Sequence, residues 1–202
     1  MELKRGHLNN QGRFVSFKMQ KSVPWKSLLE FDYLHLLELD SQVRQYENYD
    51  FKIAYLFRGQ EVTLHPNFVV QRSEQTTLNY LLSEKSDNDE QFQKLKLVSK
   101  LCKANGYPLE IIPEKEIRRQ PRLTNAKIIL KYAAKSLENP HPRLLCYQVF
   151  KDKTCLSLNE LTDYFKQNSA SQRDLFQLIY FGILSIDINQ PIDSDSAITL
   201  LA

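Results

Sequence analysis

The chain has 202 residues, 42% hydrophobic and 25% charged, with 27 Lys and Arg against 24 Asp and Glu for a formal net charge of +3. That balance excludes wholesale disorder and suits one or two compact domains able to bury real cores. So mild a charge permits contact with nucleic acid without arguing for it, because only a clustered basic face would do that.

Residues 1–22 carry Lys4, Arg5, Arg13, Lys18 and Lys21 against Glu2 alone, with no clear periodicity. They read as an arm, either a solvated tail or a phosphate-contacting one. Ser22 and Pro24 suit the start of a helix, and Leu28, Leu29, Leu36, Leu37 and Leu39 give it a broad apolar surface. Its acids are Glu30, Asp32, Glu38 and Asp40, and Asp40-Ser41 ends it. Alternation over 51–57 predicts a strand, Arg58-Gly59-Gln60 a hairpin turn, and 61–70 the returning strand, edge-like or irregular at Pro66. Residues 79–85 read as a third strand.

Asp87, Asn88 or Asp89 then caps a helix running to about Asn105, with Phe92, Leu95, Val98 and Cys102 on one stripe and Gly106 as its stop. Residues 109–112 form a short apolar strand. Thr124 caps a further helix, with Ile128, Ile129, Tyr132 and Ala133 inward, ending near Leu137. Asn139-Pro140-His141-Pro142 is the clearest punctuation and predicts a domain boundary. Beyond it, 157–167 and 171–184 read as helices, 183–188 as an apolar strand, Asn189-Gln190-Pro191 as a turn and 198–201 as a last apolar patch. Helix, short turn, helix, small hairpin is the winged-helix order. The predicted organisation is a basic arm over 1–22, an α/β domain over 23–138 and a winged-helix-like domain over 143–202.

Cys102, Cys146 and Cys155 are odd in number and contain no CxxC pair, which fits small hydrophobes in a reducing cytosol better than a disulfide framework or a zinc knuckle. No apolar run approaches the ~20 residues that span a bilayer, and residues 1–10 lack the apolar stretch of a secretory signal. The expected setting is cytoplasmic. His65 reads as a strand residue and not a metal ligand, since no second His or Cys stands at ligand spacing. The stripe Phe176, Ile179, Tyr180 and Ile183 reads as core or partner surface.

The order helix, three strands, helix, strand is that of metal-dependent nucleases of the restriction-endonuclease type. In those proteins an acid on the first helix joins an acid ending the second strand and an E-x-K element on the third. Two strand residues two apart share a face, so Glu and Lys of E-x-K converge on one metal-and-water site. Carboxylates hold Mg²⁺, the metal activates water, and the lysine supports developing negative charge.

Specific residues sharpen this. Gly12-Arg-Phe-Val-Ser-Phe-Lys18, then Trp25-Lys-Ser-Leu-Leu-Glu30-Phe-Asp32, resembles the entry to the TnsA family of transposon endonucleases, with its G-x-x-x-S-x-K and E-S-x-x-E-x-D elements. His65-Pro66-Asn67-Phe68-Val69-Val70 resembles the family's P-D-F-L-V, and Tyr80-Leu-Leu-Ser83-Glu84-Lys85 its Y-L-I-E-V-K. Tyr46-Glu47 stands near the family's Q-P pair. Ala104-Asn-Gly-Tyr107 and Ile117-Arg-Arg-Gln-Pro-Arg-Leu-Thr-Asn125 are also similar to it. The resemblance covers about Gly12 to Ala134. It implies a restriction-endonuclease-like mixed sheet flanked by helices, with a nuclease that cuts the non-transferred strand at transposon ends. It also implies Mg²⁺ and partnership with DNA, a DDE-type transposase and an AAA+ ATPase regulator.

Carried over by residue, Glu30 matches the helix acid and Lys85 the lysine, while Asn67 stands for the metal-binding aspartate and Ser83 for the Glu or Gln of E-x-K. Lys26 replaces the glutamate of the E-S pair, and Tyr49-Asp50 occupies the place of Q-P. One carboxylate beside a lysine is too little negative charge to hold Mg²⁺ firmly. Glu84 could join Glu30 as a metal ligand only if a bulge re-aimed it. The sequence therefore predicts an impaired or inactive nuclease. The alternatives are an active metal-dependent endonuclease using Glu30, Glu84 and Lys85, or a winged-helix DNA-binding adaptor. Arg13, Lys18, Lys21, Arg118, Arg119 and Arg122 are the candidate DNA contacts; Lys115, Lys127 and Lys131 extend the basic run, whose default reading is a solvated face.

Overall fold

Residues expected to form an arm instead pair: β1 (Gly12–Ser16) and β2 (Lys21–Trp25) make an antiparallel hairpin. Phe14 and Val23 are its buried pair, so the alternation that orders it lies among the basic residues. Gly12 stands under the Trp25 indole, where an added Cβ would come 2.6 Å from a ring carbon. Pro24 lies in β2, and the following helix α1 (Leu28–Leu39) starts five residues later than its expected Ser22 cap. Ser27 is the N-cap, its hydroxyl accepting from the Glu30 N–H at 3.1 Å. The computed structural model describes residues 11–86, 88–133 and 140–201. The rest of the expected arm, residues 1–10, lies outside them.

The main sheet has the order β3 (Val43–Asn48), β6 (Phe68–Arg72), β7 (Thr76–Leu82), β8 (Leu109–Pro113). The first three strands are antiparallel neighbours. β8 lies parallel to β7, as the intervening helix α2 (Asp89–Ala104, N-cap Asn88) permits. β3 was not expected from the sequence. Its Val-Arg-Gln-Tyr-Glu-Asn has only two buried apolar residues, Val43 and Tyr46, interrupted by a register shift. The expected strand over 61–70 is two strands in two sheets, broken at Pro66, which has no N–H to continue a ladder. β4 (Ile53–Phe57) and β5 (Gln60–Leu64) form a separate hairpin closed by Arg58 and Gly59 at φ 51° and 78°, the positive-φ pair that two-residue turns require.

One face of the sheet packs with α1, where Tyr33 meets Phe68 at 5.9 Å between rings. On the other, Leu78 and Leu82 of β7 join Tyr55 and Leu64 of the hairpin and Leu95, Val98 and Cys102 of α2 in one core. Phe92, expected on that stripe, is exposed. Alternation turns Asn79 and Leu81 to the α1 side. A short helix, α3 (Glu114–Ile117), follows β8.

The chain divides into two compact units, Met1–Arg118 and Arg119–Ala202, so the boundary falls well before 139–142. Helix α4 (Arg122–Ala133) belongs to the second unit. Tyr132 stacks on Phe176 at 5.1 Å, and the Asn125 amide donates to the Ile188 and Gln190 carbonyls at 2.9 and 2.7 Å. Thr124 lies inside α4 and not at its cap, Ile128 is exposed, and the expected end near Leu137 and the Ala133 side chain lie outside the description. The punctuating Pro140 and Pro142 open a helix, α5 (His141–Val149), as prolines can in a first turn where N–H groups have no partner. After β9 (Leu156–Ser157) come α6 (Leu158–Gln167) and α7 (Gln172–Tyr180), both begun by capping boxes, Ser157 with Glu160 and Ser171 with Asp174. β10 (Leu184–Ile186) and β11 (Ala197–Leu200) complete a small sheet of order β10-β11-β9. Leu161, Phe165, Leu178 and Ile198 are fully buried in this unit. The chain is thus mixed α/β, and none of its described helices is long and apolar enough to cross a membrane.

Candidate functional site

Glu30 is the third residue of α1, and its carboxylate reaches back to the Lys26 N–H at 2.6 Å while its other oxygen accepts from Asn67 Nδ2 at 2.8 Å. Asn67, just before β6, is held on every side. Its Oδ1 accepts from the Leu81 N–H at 2.8 Å, its own N–H donates to the Asn79 carbonyl at 2.8 Å, and its carbonyl accepts from Tyr49 N–H at 3.1 Å. A carboxylate accepts and a backbone N–H donates, so the amide orientation is fixed by its partners. The helix acid and the residue at the aspartate position therefore do meet, but as acceptor and donor.

Ser83 and Lys85 do not join them. β7 ends at Leu82 and residues Glu84–Ser86 form a 3₁₀ turn, so the alternation expected over 83–85 does not hold. Lys85 and Glu84 are exposed, and Glu84 has no bulge to bring it to Glu30. The Ser83 hydroxyl donates to Glu114 Oε2 at 3.0 Å, and the Glu84 N–H donates to the same oxygen at 3.1 Å. The other Glu114 oxygen pairs with Arg118, whose Nε donates to Asp32 at 2.9 Å. One guanidinium thus links α1 to α3, its positive charge shared between two carboxylates.

These contacts, led by the Glu84 N–H and followed by the Ser83 hydroxyl and the Arg118 and Lys85 charges, hold the Glu114 carboxyl below its ordinary value against the opposing effect of burial. The stabilisation from these contacts is complete above the ordinary carboxylate value and is lost as pH falls through the depressed one. Ser83→Ala is expected to raise the Glu114 pKa toward the ordinary range, as read by NMR titration of its carboxyl carbon. An unchanged pKa would remove Ser83 from this network.

Two further polar clusters flank the site. Asn79, fully buried, donates to Glu110 at 2.9 Å, and Arg72 donates to the same carboxylate at 3.3 Å. Nearby, burial pushes the Tyr33 hydroxyl up to about 12. Glu38, only 1% exposed, accepts from the Ser16 hydroxyl at 2.7 Å, from the Phe17 and Lys18 N–H groups at 2.9 Å each, and from the Tyr46 hydroxyl. The Lys18 amine turns inward to the Leu37 and Asp40 carbonyls at 2.9 and 2.7 Å, and burial lowers its pKa against the attraction of Glu38 and Asp40. The Ser-x-Lys element thus clamps the hairpin to the end of α1.

Of the candidate DNA contacts, Lys18 and Arg118 are therefore engaged inside the first unit, and Lys21 lies 3.5 Å from Glu47. Arg13 is exposed on β1; Arg119 is exposed and Arg122 half-buried in the second unit. Lys26 faces Asp50 at 3.8 Å on the surface.

The donor set does not fit Mg²⁺. Both Glu30 oxygens accept hydrogen bonds, Asn67 turns its amino group to them, and Asp32 and Glu114 hold Arg118, whereas Mg²⁺ needs several oxygens converging in near-octahedral geometry. Among the described residues no three His, Cys, Asp or Glu side chains converge to hold a metal ion. Sequence reasoning missed the roles of Glu38 and of the Asp32–Arg118–Glu114 chain. The spacing of Glu114 and Arg118, four apart, was the available signal for the latter. No protein-family model matches the chain, and no curated protein matches it significantly.

Proposed function

We propose that this chain is a TnsA-like subunit of a DNA transposition machine whose nuclease-type site does not cut. The observation that carries the reading is the meeting of Glu30, from the first helix, with Asn67, at the start of the second strand of an antiparallel trio whose third strand runs parallel to β8. A restriction-endonuclease-like domain keeps one acid on its first helix and another at the end of its second strand; here Asn67 stands just before β6, and its amide donates to the helix acid where a second carboxylate would ligate. The order α5, β9, α6, α7, β10, β11 supports a winged-helix-like reading of the second unit. In α7 the only basic residue is Arg173, so this element favours protein contact over reading a DNA groove. In this proposal the protein works in the cytoplasm, holding transposon-end DNA, a DDE-type transposase or an AAA+ ATPase together, and Mg²⁺ serves only its partners.

The test is reconstitution with the transposase and ATPase of the same element on DNA carrying its ends, with Mg²⁺ or Mn²⁺. Assembly should require the protein, and strand cutting should be the same with Glu30→Ala as with the wild type. Cutting that disappears in Glu30→Ala would instead support the active endonuclease. Assembly that proceeds equally well without the protein would remove the transposition reading.

A further inference from the structure

A cavity of about 900 Å³ opens on the α2 side of the sheet, floored by Val69 and Leu78, walled by Leu97 and Leu101 of α2 and, opposite, by residues 53–56 of β4. Four consecutive strand residues line one cavity only where the strand presents its edge. β4 pairs with β5 alone. The two-residue turn makes Phe57 and Gln60 a hydrogen-bonded pair, so Tyr55–Val62 and Ile53–Leu64 are bonded pairs as well. The N–H and C=O groups of Ala54 and Leu56 then point away from β5, and among the described residues no strand takes them. Free edges are usually blunted by charge, proline or a bulge, yet β4 reads Ile-Ala-Tyr-Leu-Phe. At the mouth Phe51, Leu56 and Tyr107 are 71%, 69% and 62% exposed.

We propose that this groove binds an extended segment of a partner protein, with alternating apolar side chains and acidic flanks, as a strand added to the free edge of β4. A strand satisfies the outward Ala54 and Leu56 groups and places alternate side chains on the Val69–Leu78 floor; a helix has no free backbone groups to do so. The flanks follow from charge. Lys52 and Arg58 bracket β4, so each end of an added strand lies beside a cation, and Lys94 lies over the neighbouring Phe57 ring. The nearby acids are engaged elsewhere or face β4: Glu90 pairs with Lys94, Asp50 with Lys26, and Glu61 lies across from Leu56. In the register that pairs Ala54 with Leu56 of a second copy, Lys52 faces Arg58 twice, which disfavours that pairing. The proposal does not depend on the transposition reading.

The test pans a phage-displayed random peptide library on the full chain, followed by fluorescence anisotropy with the most enriched peptide, fluorescein-labelled. Enriched sequences should share apolar residues at i, i+2 and i+4 with Asp or Glu at the ends, and added salt should weaken binding. Ala54→Pro removes one outward N–H while leaving the β4–β5 bonds, and should weaken binding at least about tenfold with an unchanged circular dichroism spectrum. Leu101→Glu, at an exposed wall, should do the same. Peptides with helical i, i+3, i+4, i+7 spacing, no enrichment over a Leu101→Glu bait, or binding indifferent to Ala54→Pro in a folded protein would each overturn it.

Discussion

Glu38→Ala is expected to destabilise the first unit by about 3–5 kcal/mol, the scale for removing one partner of a buried, charged hydrogen-bond cluster. Four donors converge on this carboxylate: the Ser16 hydroxyl, the Phe17 and Lys18 N–H groups and the Tyr46 hydroxyl. Truncation leaves them around a position only 1% exposed, with the half-buried Lys18 amine losing the larger of its two carboxylate attractions. Glu38→Gln keeps the shape but turns an amino group toward some of these donors, so a loss of about 1–3 kcal/mol is expected. Urea unfolding followed by the fluorescence of Trp25, the single tryptophan, measures both, since β2 belongs to the clamped hairpin. A loss below about 1 kcal/mol for Glu38→Ala would show that the hairpin and α1 are held together by apolar packing alone.

Asn67→Asp is expected to cost about 2–3 kcal/mol in metal-free buffer. The substitution sets a carboxylate against Glu30 in place of a 2.8 Å donor, while the Leu81 N–H keeps its acceptor. The same change supplies the second anion that a divalent ion requires. With Asn67→Asp, Mn²⁺ should restore stability by about 2.7 kcal/mol at a concentration 100 times the dissociation constant. Thermal unfolding with and without Mn²⁺ reads this directly. If the substituted protein gains nothing from the ion, residue 67 is not the position of a lost ligand, and the resemblance to a nuclease site fails with it.

Much of the architecture was legible because local chemistry and tertiary packing agree. Asn88, one of three candidate caps, begins α2, α6 and α7 start where helices over 157–167 and 171–184 are expected, Gly106 takes a positive φ at the end of α2, and the Arg58-Gly59 turn joins two alternating strands. The misreadings occur where tertiary partners override local signals. Ser16 and Lys18 look like solvated polar residues until Glu38, some 20 positions away, orders them. Pro140 and Pro142 read as a linker though prolines also open helices. β3 shows too few apolar residues to announce itself. At the site, Glu30 and Asn67 were visible together through their motif order. Ser83 and Lys85 were matched through the same resemblance on a strand expected to reach Lys85, but β7 ends at Leu82. Arg118 was read as a surface charge because sequence spacing cannot show that Asp32, 86 residues earlier, accepts from it.

The most direct measurement is a calorimetric titration of the wild-type protein with Mn²⁺, set beside Glu30→Ala. Hydrogen-bond donors on both Glu30 oxygens and an arginine between Asp32 and Glu114 predict no saturable heat in either protein. Stoichiometric binding to the wild type that vanishes in Glu30→Ala would contradict the account and return the site to the active endonucleases.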